Sequence, residues 1–396
     1  MAEVYITIPS SIYRKGKEID FMQMLDHEVD VSDYPQAQRR YVPTTVTRKY
    51  NECPITHDMM QKDAKIMTGV MRMYKLTRDW FVQYQFKGMT NEQVKEKYYE
   101  EHRIPKKTGG VRVIHEPVGD LLRTQQKILK ILKLLTKNKG YHASAYAYIE
   151  NRSILNCLNK HKKNESNWFL KLDLHKFFDS TDFETIMKML DRIYPFNMFG
   201  EYDKMKLRQM LAVCMLDGGL PQGTVVSPML TNLIMIPFDY ELSKKLREKG
   251  FVYTRYADDM LISHKKAFKF SEVIKTVEET FRELGYPYQL NKEKTRYGSR
   301  AGRNWNLGLM LNKDNEITIG WRKKKQMKGL LTAVAARANG FADEVMKEDA
   351  EVLGLIAYYE MIDKDYTKYV IDHLSNKFNV DIIQYLKTGE VKRVVV

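Results

Sequence analysis

Three carboxylates set into apolar, strand-like runs limit what this chain can fold into. Asp258 and Asp259 stand between Phe251-Val252-Tyr253-Thr254 and Met260-Leu261-Ile262-Ser263. Both flanks are rich in β-branched, aromatic and apolar residues, so each reads as a short strand. Asp is a poor strand residue and a good turn residue. The pattern predicts a β-hairpin with two carboxylates at its tip. A third acid, Asp173, ends the apolar run Trp168-Phe169-Leu170-Lys171-Leu172. An Asp-Asp pair in a turn is ordinarily just solvated, but charged residues rarely enter a sheet interior without a partner. Anions placed together repel and need compensation. Oxygen ligands suit magnesium, and three carboxylates converging at a sheet end suit two-metal phosphoryl transfer.

Charge points to a polyanionic partner. Lys and Arg number 65 against 50 Asp and Glu, a net +15 in 396 residues. That excess suits solubility as well as nucleic acid, and 25 Tyr with 16 Phe add rings on which bases stack. Cys53, Cys157 and Cys214 show no metal-ligand spacing and fit a reducing cytoplasm. No apolar run approaches the ~18 residues of a membrane span. The start, Met1-Ala2-Glu3-Val4, lacks a secretion pattern.

Residues 1–50 mix Pro, Ser and charge and read as an extended arm or irregular cap. From Thr56 to Tyr99 the pattern is helical, with Met59, Met60, Ile66, Met67, Val70, Met71, Met73 and Tyr74 as a packing stripe. Thr90-Asn91-Glu92-Gln93 opens a further helix. Two strands flank the Gly109-Gly110 turn, and Lys106, Lys107 and Arg112 make that hairpin basic enough to hold a triphosphate. Leu121, Ile128, Leu132 and Leu135 mark an amphipathic helix. A helix capped by Ser180 or Thr181 follows Phe178. Gly218 to Gly223 makes a tight loop, and a helix runs from about Ser227 to Leu242 with Pro228 in its first turn. Arg322-Lys323-Lys324-Lys325 begins a basic helix, and one more helix spans Leu353 to Tyr366.

Tyr256-Ala257-Asp258-Asp259, with Phe169-Leu170-Lys171-Leu172-Asp173-Leu174-His175-Lys176-Phe177-Phe178 before it, resembles the palm of a reverse transcriptase of the bacterial branch, which holds group II intron, retron and phage-defence enzymes. Leu220-Pro221-Gln222-Gly223 and Leu284-Gly285-Tyr286 to Lys294 follow the family order, and the resemblance runs from about Arg103 to residue 308 and more loosely to about 375. It implies an α+β right-hand polymerase with fingers, a palm built on an antiparallel sheet, and a helical thumb. The ranges would be 1–100 for a mostly helical N-terminal extension, 101–165 for fingers, 166–310 for palm with finger insertions, and 311–396 for thumb.

The resemblance further implies an RNA-directed DNA polymerase. Asp173, Asp258 and Asp259, with the Leu174 carbonyl, would hold two Mg2+ ions, Mn2+ being the substitute. Lys294 would assist departure of pyrophosphate. Lys106, Arg112 and Arg152 would orient the incoming deoxynucleoside triphosphate, and Gln222 and Gly223 would contact the nascent pair. Phe178 would exclude a ribose 2′-hydroxyl. Trp305, Leu307 and Gly308 would grip the primer, while Lys323 and Lys324 would track the duplex. The partners implied are a dedicated noncoding RNA as template or primer, a DNA product and no membrane, with homo-oligomerisation left open and a bacterial cytoplasmic location.

Within the bacterial branch, two retron hallmarks depart. The Asn-Ala-x-x-His place reads Cys157-Leu158-Asn159-Lys160-His161, and the Val-Thr-Gly place reads Asn306-Leu307-Gly308. The sequence therefore favours the unclassified, phage-defence-associated group. A retron enzyme making RNA-linked DNA, and template-independent or protein-primed synthesis, stay as alternatives. A noncatalytic RNA-binding scaffold is the reading of a different class, and the three intact carboxylates weigh against it.

Overall fold

The computed structural model describes residues 57–84, 86–106, 109–137, 139–300, 308–341 and 347–394, with side chains from residue 64 on. The arm or cap expected before residue 57, the Met59 and Met60 side chains, Lys107, Trp305 and Leu307 lie outside the described residues. Contacts group the chain into two compact units, each built from interleaved stretches. The first takes the chain up to Tyr148, then Leu174–Lys245 and Val273–Asn291; the second takes Ile149–Asp173, Leu246–Glu272 and the chain from Lys292.

In the first unit, helix His57–Thr77 packs on helix Gly119–Leu135. The expected stripe is the packed face: Ile66, Val70, Met73 and Tyr74 are buried, as are Leu121, Ile128, Leu132 and Leu135. Thr90 caps Asn91–Tyr98 in a capping box with Gln93. Strands β1 (Tyr99–Pro105) and β2 (Val111–Pro117) then pair antiparallel around the Gly-Gly turn. Two expectations are corrected. Asp182, not Ser180 or Thr181, caps helix Phe183–Leu190, accepting from the Thr185 N–H at 2.6 Å. The Thr181 hydroxyl is occupied elsewhere, donating to the Phe177 carbonyl at 2.7 Å. The helix expected from Ser227 to Leu242 is two helices, Ser227–Ile234 and Ile236–Arg247. Pro237 explains the break: it has no N–H to bond back into the preceding turn, and its ring crowds that turn's carbonyl.

The second unit is built on a four-stranded antiparallel sheet of β3 (Trp168–Asp173), β4 (Val252–Tyr256), β5 (Asp259–His264) and β6 (Arg296–Ser299), in the order β4-β5-β3-β6. Phe169 and Leu261 share one face and join a core with Leu158, Leu309, Met327, Leu331, Val334, Val352, Ile356 and Leu374. That core is closed by a small ladder of β7 (Met310–Leu311) and β8 (Ile317–Thr318) and by helices Trp321–Ala338, Asp349–Ile362, Lys364–Phe378 and Ile382–Thr388. The single helix expected over Leu353 to Tyr366 is broken at Asp363, whose backbone leaves the helical region and whose carboxylate takes Lys324 at 2.7 Å and the Thr318 hydroxyl at 3.1 Å. The fold class is α+β with an antiparallel sheet, as the sequence led one to expect. No helix among the described residues is long and apolar enough to cross a membrane.

Candidate active site

The expected hairpin is present. Tyr256 pairs with Asp259, leaving Ala257 and Asp258 as a two-residue turn. Ala257 has φ +56°, a left-handed conformation that costs an L residue about 1–2 kcal/mol. The Arg255 guanidinium, fully buried, donates to the Ala257 carbonyl at 3.1 Å and helps hold that turn.

The central strand delivers the third carboxylate. Asp173 stands directly opposite Asp259 in the β3–β5 register. Directly opposed residues point to the same face, with Cβ atoms about 5 Å apart. Lys171, two residues before Asp173, lies on that face too. Its ammonium is 2.8 Å from Asp259 Oδ2. Lys294 comes from a short 3-10 turn, Lys292–Lys294, and lies 3.0 Å from Asp173 Oδ1 and 3.1 Å from Oδ2. Only the Oδ2 contact has hydrogen-bond geometry, so the buried Oδ1 has no hydrogen-bond partner.

The electrostatics are those of a crowded anionic site. Burial above all, then Asp259 and Asp173, push the Asp258 carboxyl above its ordinary range, against the pull of its own backbone N–H and of Lys294. Among the described residues no three His, Cys, Asp or Glu side chains are gathered closely enough to hold one ion as they stand. Lys171 and Lys294 supply cationic charge to two of the three acids. The donor set nonetheless fits a hard divalent cation: three carboxylates at one sheet end, one with a buried oxygen lacking a hydrogen bond. Lys171 has no part in the sequence reading. Its position two before Asp173 was the available signal, because alternate strand residues share a face.

The basic hairpin and the Pro-Gln-Gly loop meet within the first unit. The His115 N–H donates to the Gln222 carbonyl at 2.7 Å. Gly223 has φ +105°, and a Cβ there would lie 2.3 Å from Ile114 Cγ2 and 3.1 Å from the His115 carbonyl oxygen. Glycine is thus demanded by hairpin packing as well as by any ligand. Lys106 and Arg112 are exposed on the hairpin. Phe178 is half-buried while Phe177 is core. Leu174 is buried and bridges Leu290. In the second unit Arg152 is half-buried, just before the Ser153 cap of helix Ile154–Lys163. Gly308, at φ +89°, and Lys323 are brought together: a Cβ on Gly308 would lie 2.3 Å from Lys323 Nζ. Lys324 is engaged inside its unit, paired with Asp363 and 3.9 Å from the Tyr366 ring centroid.

Residues 104–357 match the family model described as reverse transcriptase (RNA-dependent DNA polymerase). The chain belongs to the reverse transcriptase family. It is an RNA-directed DNA polymerase, and its bacterial relatives are of the retron type. The Retron Ec73 reverse transcriptase of Escherichia coli is 30% identical over 275 residues, covering 67% of this chain and 84% of that protein. The Retron Ec83 reverse transcriptase of the same species is 30% identical, covering 59% of this chain and 75% of that protein. The Retron Mx65 reverse transcriptase of Myxococcus xanthus is 26% identical over 76% of this chain and 66% of that protein. Among solved structures, apo telomerase from Candida tropicalis aligns over 80% of this chain and 63% of that one, at TM-score 0.43 and 14% identity.

The histidine kept at the departing retron hallmark has a defined place in this reverse transcriptase. His161 is fully buried. Its Nδ1 is 2.5 Å from Ser263 Oγ on β5, and its Nε2 is 2.8 Å from Thr254 Oγ1 on β4. Ser263 donates on to Ser166 at 2.7 Å, and the Cys157 thiol donates to Thr254 at 3.2 Å. Burial, reinforced by Lys160, pushes the imidazole down to about 3, so it is neutral at physiological pH. One ring thereby ties both strands of the carboxylate hairpin to one helix.

Proposed function

We propose that the enzyme copies a dedicated noncoding RNA into DNA by magnesium-dependent nucleotidyl transfer at Asp173, Asp258 and Asp259. The observation that carries this reading is the register that sets Asp173 opposite Asp259, with Asp258 in the adjoining turn. The Leu174 carbonyl is a further oxygen donor. Two Mg2+ ions bound there, or Mn2+ in their place, would acidify the primer 3′-hydroxyl and neutralise the triphosphate. Lys294, already beside Asp173, meets the negative charge that builds on departing pyrophosphate. Arg112 and Lys106, exposed on the hairpin, and Arg152 orient the phosphates. Gln222 and Gly223 face the nascent pair, and Phe178 rejects the ribose 2′-hydroxyl. Trp305, Leu307, Gly308 and Lys323 hold the primer strand. Lys324 has a structural part, which its pairing with Asp363 supports better than a duplex contact. Fingers, palm and thumb take 101–165, 166–310 and 311–396, after an extension over 1–100.

The similarity to retron enzymes supports a product linked to a structured RNA in a bacterial cytoplasm, and a role in defence against phage. The test uses the full chain, an RNA template annealed to a DNA primer, and labelled deoxynucleotides. Wild type extends the primer; Asp258→Ala with Asp259→Ala abolishes extension while RNA binding persists. Full activity of that variant overturns the assignment. Sequencing the RNA and DNA that copurify identifies the template, and phage plating with the same variant tests defence.

A further inference from the structure

Phe178 is held from behind by a small buried assembly. Both carbonyls flanking its Cα are anchored by one residue. The Thr181 hydroxyl donates to the Phe177 carbonyl at 2.7 Å, and the Thr181 N–H donates to the Phe178 carbonyl at 3.1 Å. The Leu220 N–H donates to that same Phe178 carbonyl at 3.1 Å. Thr181 is fully buried and lies 2.8 Å from the Tyr288 hydroxyl. The Tyr288 ring is 5.1 Å from the Phe177 ring, edge to face, and Phe177 in turn is 5.6 Å from the Phe178 ring, also edge to face. Gly219 permits the close approach of the loop beneath: a Cβ there would lie 2.5 Å from the Asp179 carbonyl oxygen, a backbone contact that no rotamer change relieves. The ring that faces the sugar thus stands on a backbone pinned on two sides, with its neighbour ring wedged by Tyr288.

We propose that Tyr288 and Thr181 are positioning residues for sugar discrimination, setting how closely the Phe178 ring can approach the nucleotide. The inference rests on the reading of Phe178 as the residue that meets the 2′-carbon. Excluding a hydroxyl by a clash requires a wall that does not yield. A ring whose backbone can shift by a few tenths of an ångström admits the extra oxygen, whereas a pinned one does not. Tyr288 lies in the stretch after the carboxylate hairpin, far from Phe178 in sequence, so no local pattern ties the two.

The experiment compares incorporation of dNTPs and rNTPs by the full chain on an RNA template annealed to a DNA primer. The variants are Phe178→Ala, Tyr288→Phe and Thr181→Val, each checked by its melting curve. Phe178→Ala raises the ratio of rNTP to dNTP kcat/KM most. Tyr288→Phe, which loses one hydrogen bond, raises it about fivefold, and Thr181→Val, which loses two, raises it at least as much, while dNTP kcat/KM stays within about twofold. A merely structural loss lowers both substrates together and leaves the ratio unmoved. If Phe178→Ala raises the ratio and Tyr288→Phe does not, the positioning inference falls and the reading of Phe178 stands. If Phe178→Ala leaves the ratio unchanged, the reading of Phe178 falls and takes the inference with it. Tyr288→Phe keeps the ring and its packing, so it decides the matter even if Thr181→Val fails to fold.

Discussion

Lys171→Met asks whether this lysine neutralises the carboxylate cluster before metal arrives. Its Nζ is 2.8 Å from Asp259 Oδ2, and the two side chains are only 21% and 17% exposed. At an effective dielectric of about 20, that separation corresponds to a gross attraction of about 6 kcal/mol. Desolvation and lost rotamer freedom cancel most of it. Removing the lysine also leaves Asp259 facing Asp173 uncompensated, which works against the remaining structure. The net loss comes to about 2 kcal/mol in the metal-free protein. At roughly 3 °C per kcal/mol for a unit of this size, the melting temperature falls by about 6 °C. Methionine keeps most of the apolar stem, so the change reports charge more than packing. A divalent cation bound to the folded state supplies the missing charge and stabilises by mass action. Thermal melts in EDTA should therefore show the full gap, and melts in saturating Mn2+ or Mg2+ should close it. An unchanged melting temperature in EDTA, or a gap indifferent to metal, refutes the reasoning.

Two further perturbations follow. Asp258→Asn should abolish extension yet stabilise the metal-free protein. The Asp258 carboxyl is raised on folding by burial and its acidic neighbours, so its charged form opposes folding increasingly as pH rises through the folded value; the gain from Asn appears above that pH and vanishes below the ordinary carboxylate range, as denaturation at several pH values in EDTA will show. Gly223→Ala should destabilise by about 2–3 kcal/mol through its positive φ and its clash with Ile114, and raise the dNTP KM; adding Ile114→Ala, which removes the clashing Cγ2, recovers part of both, and no recovery in melts or kinetics counts against the packing account.

Much of the fold was legible because local chemistry and tertiary demand agreed. The carboxylate hairpin, the Gly-Gly hairpin, the Thr90 capping box and the methionine-bearing helix face each rest on neighbours within a few residues. The misses have the opposite character. Thr181 reads as a cap on local grounds, but Tyr288 and the Phe177 carbonyl take its hydroxyl. Ser227 to Leu242 reads as one helix opened by Pro228, and Pro237 divides it. Asp363 breaks a helix where it can answer Lys324 and Thr318 from elsewhere in its unit. Retron kinship, kept as an alternative despite two departing motifs, is supported by relatives 30% identical over 67% and 59% of the chain.

The site's least legible property is its register. The partner strand β5 buries Met260, Leu261 and Ile262 on alternating faces, so hydrophobic alternation alone does not say whether Asp173 meets Asp259 or stands one residue off. A one-residue slip would turn Asp259 and every other β5 side chain to the opposite face relative to β3. Polar contacts on the carboxylate face resist it. Lys171 reaches Asp259 from β3, while His161 binds Ser263 on β5 and Thr254 on β4 from the helix packed there. A slip would strand the imidazole or a hydroxyl in the core, at about 1–3 kcal/mol for each unsatisfied group. The neutral histidine and the lysine therefore act on the same variable from two ends of one sheet face. Each makes the alignment that gathers the acids cheaper than its neighbours in register, against the repulsion that the acids themselves create.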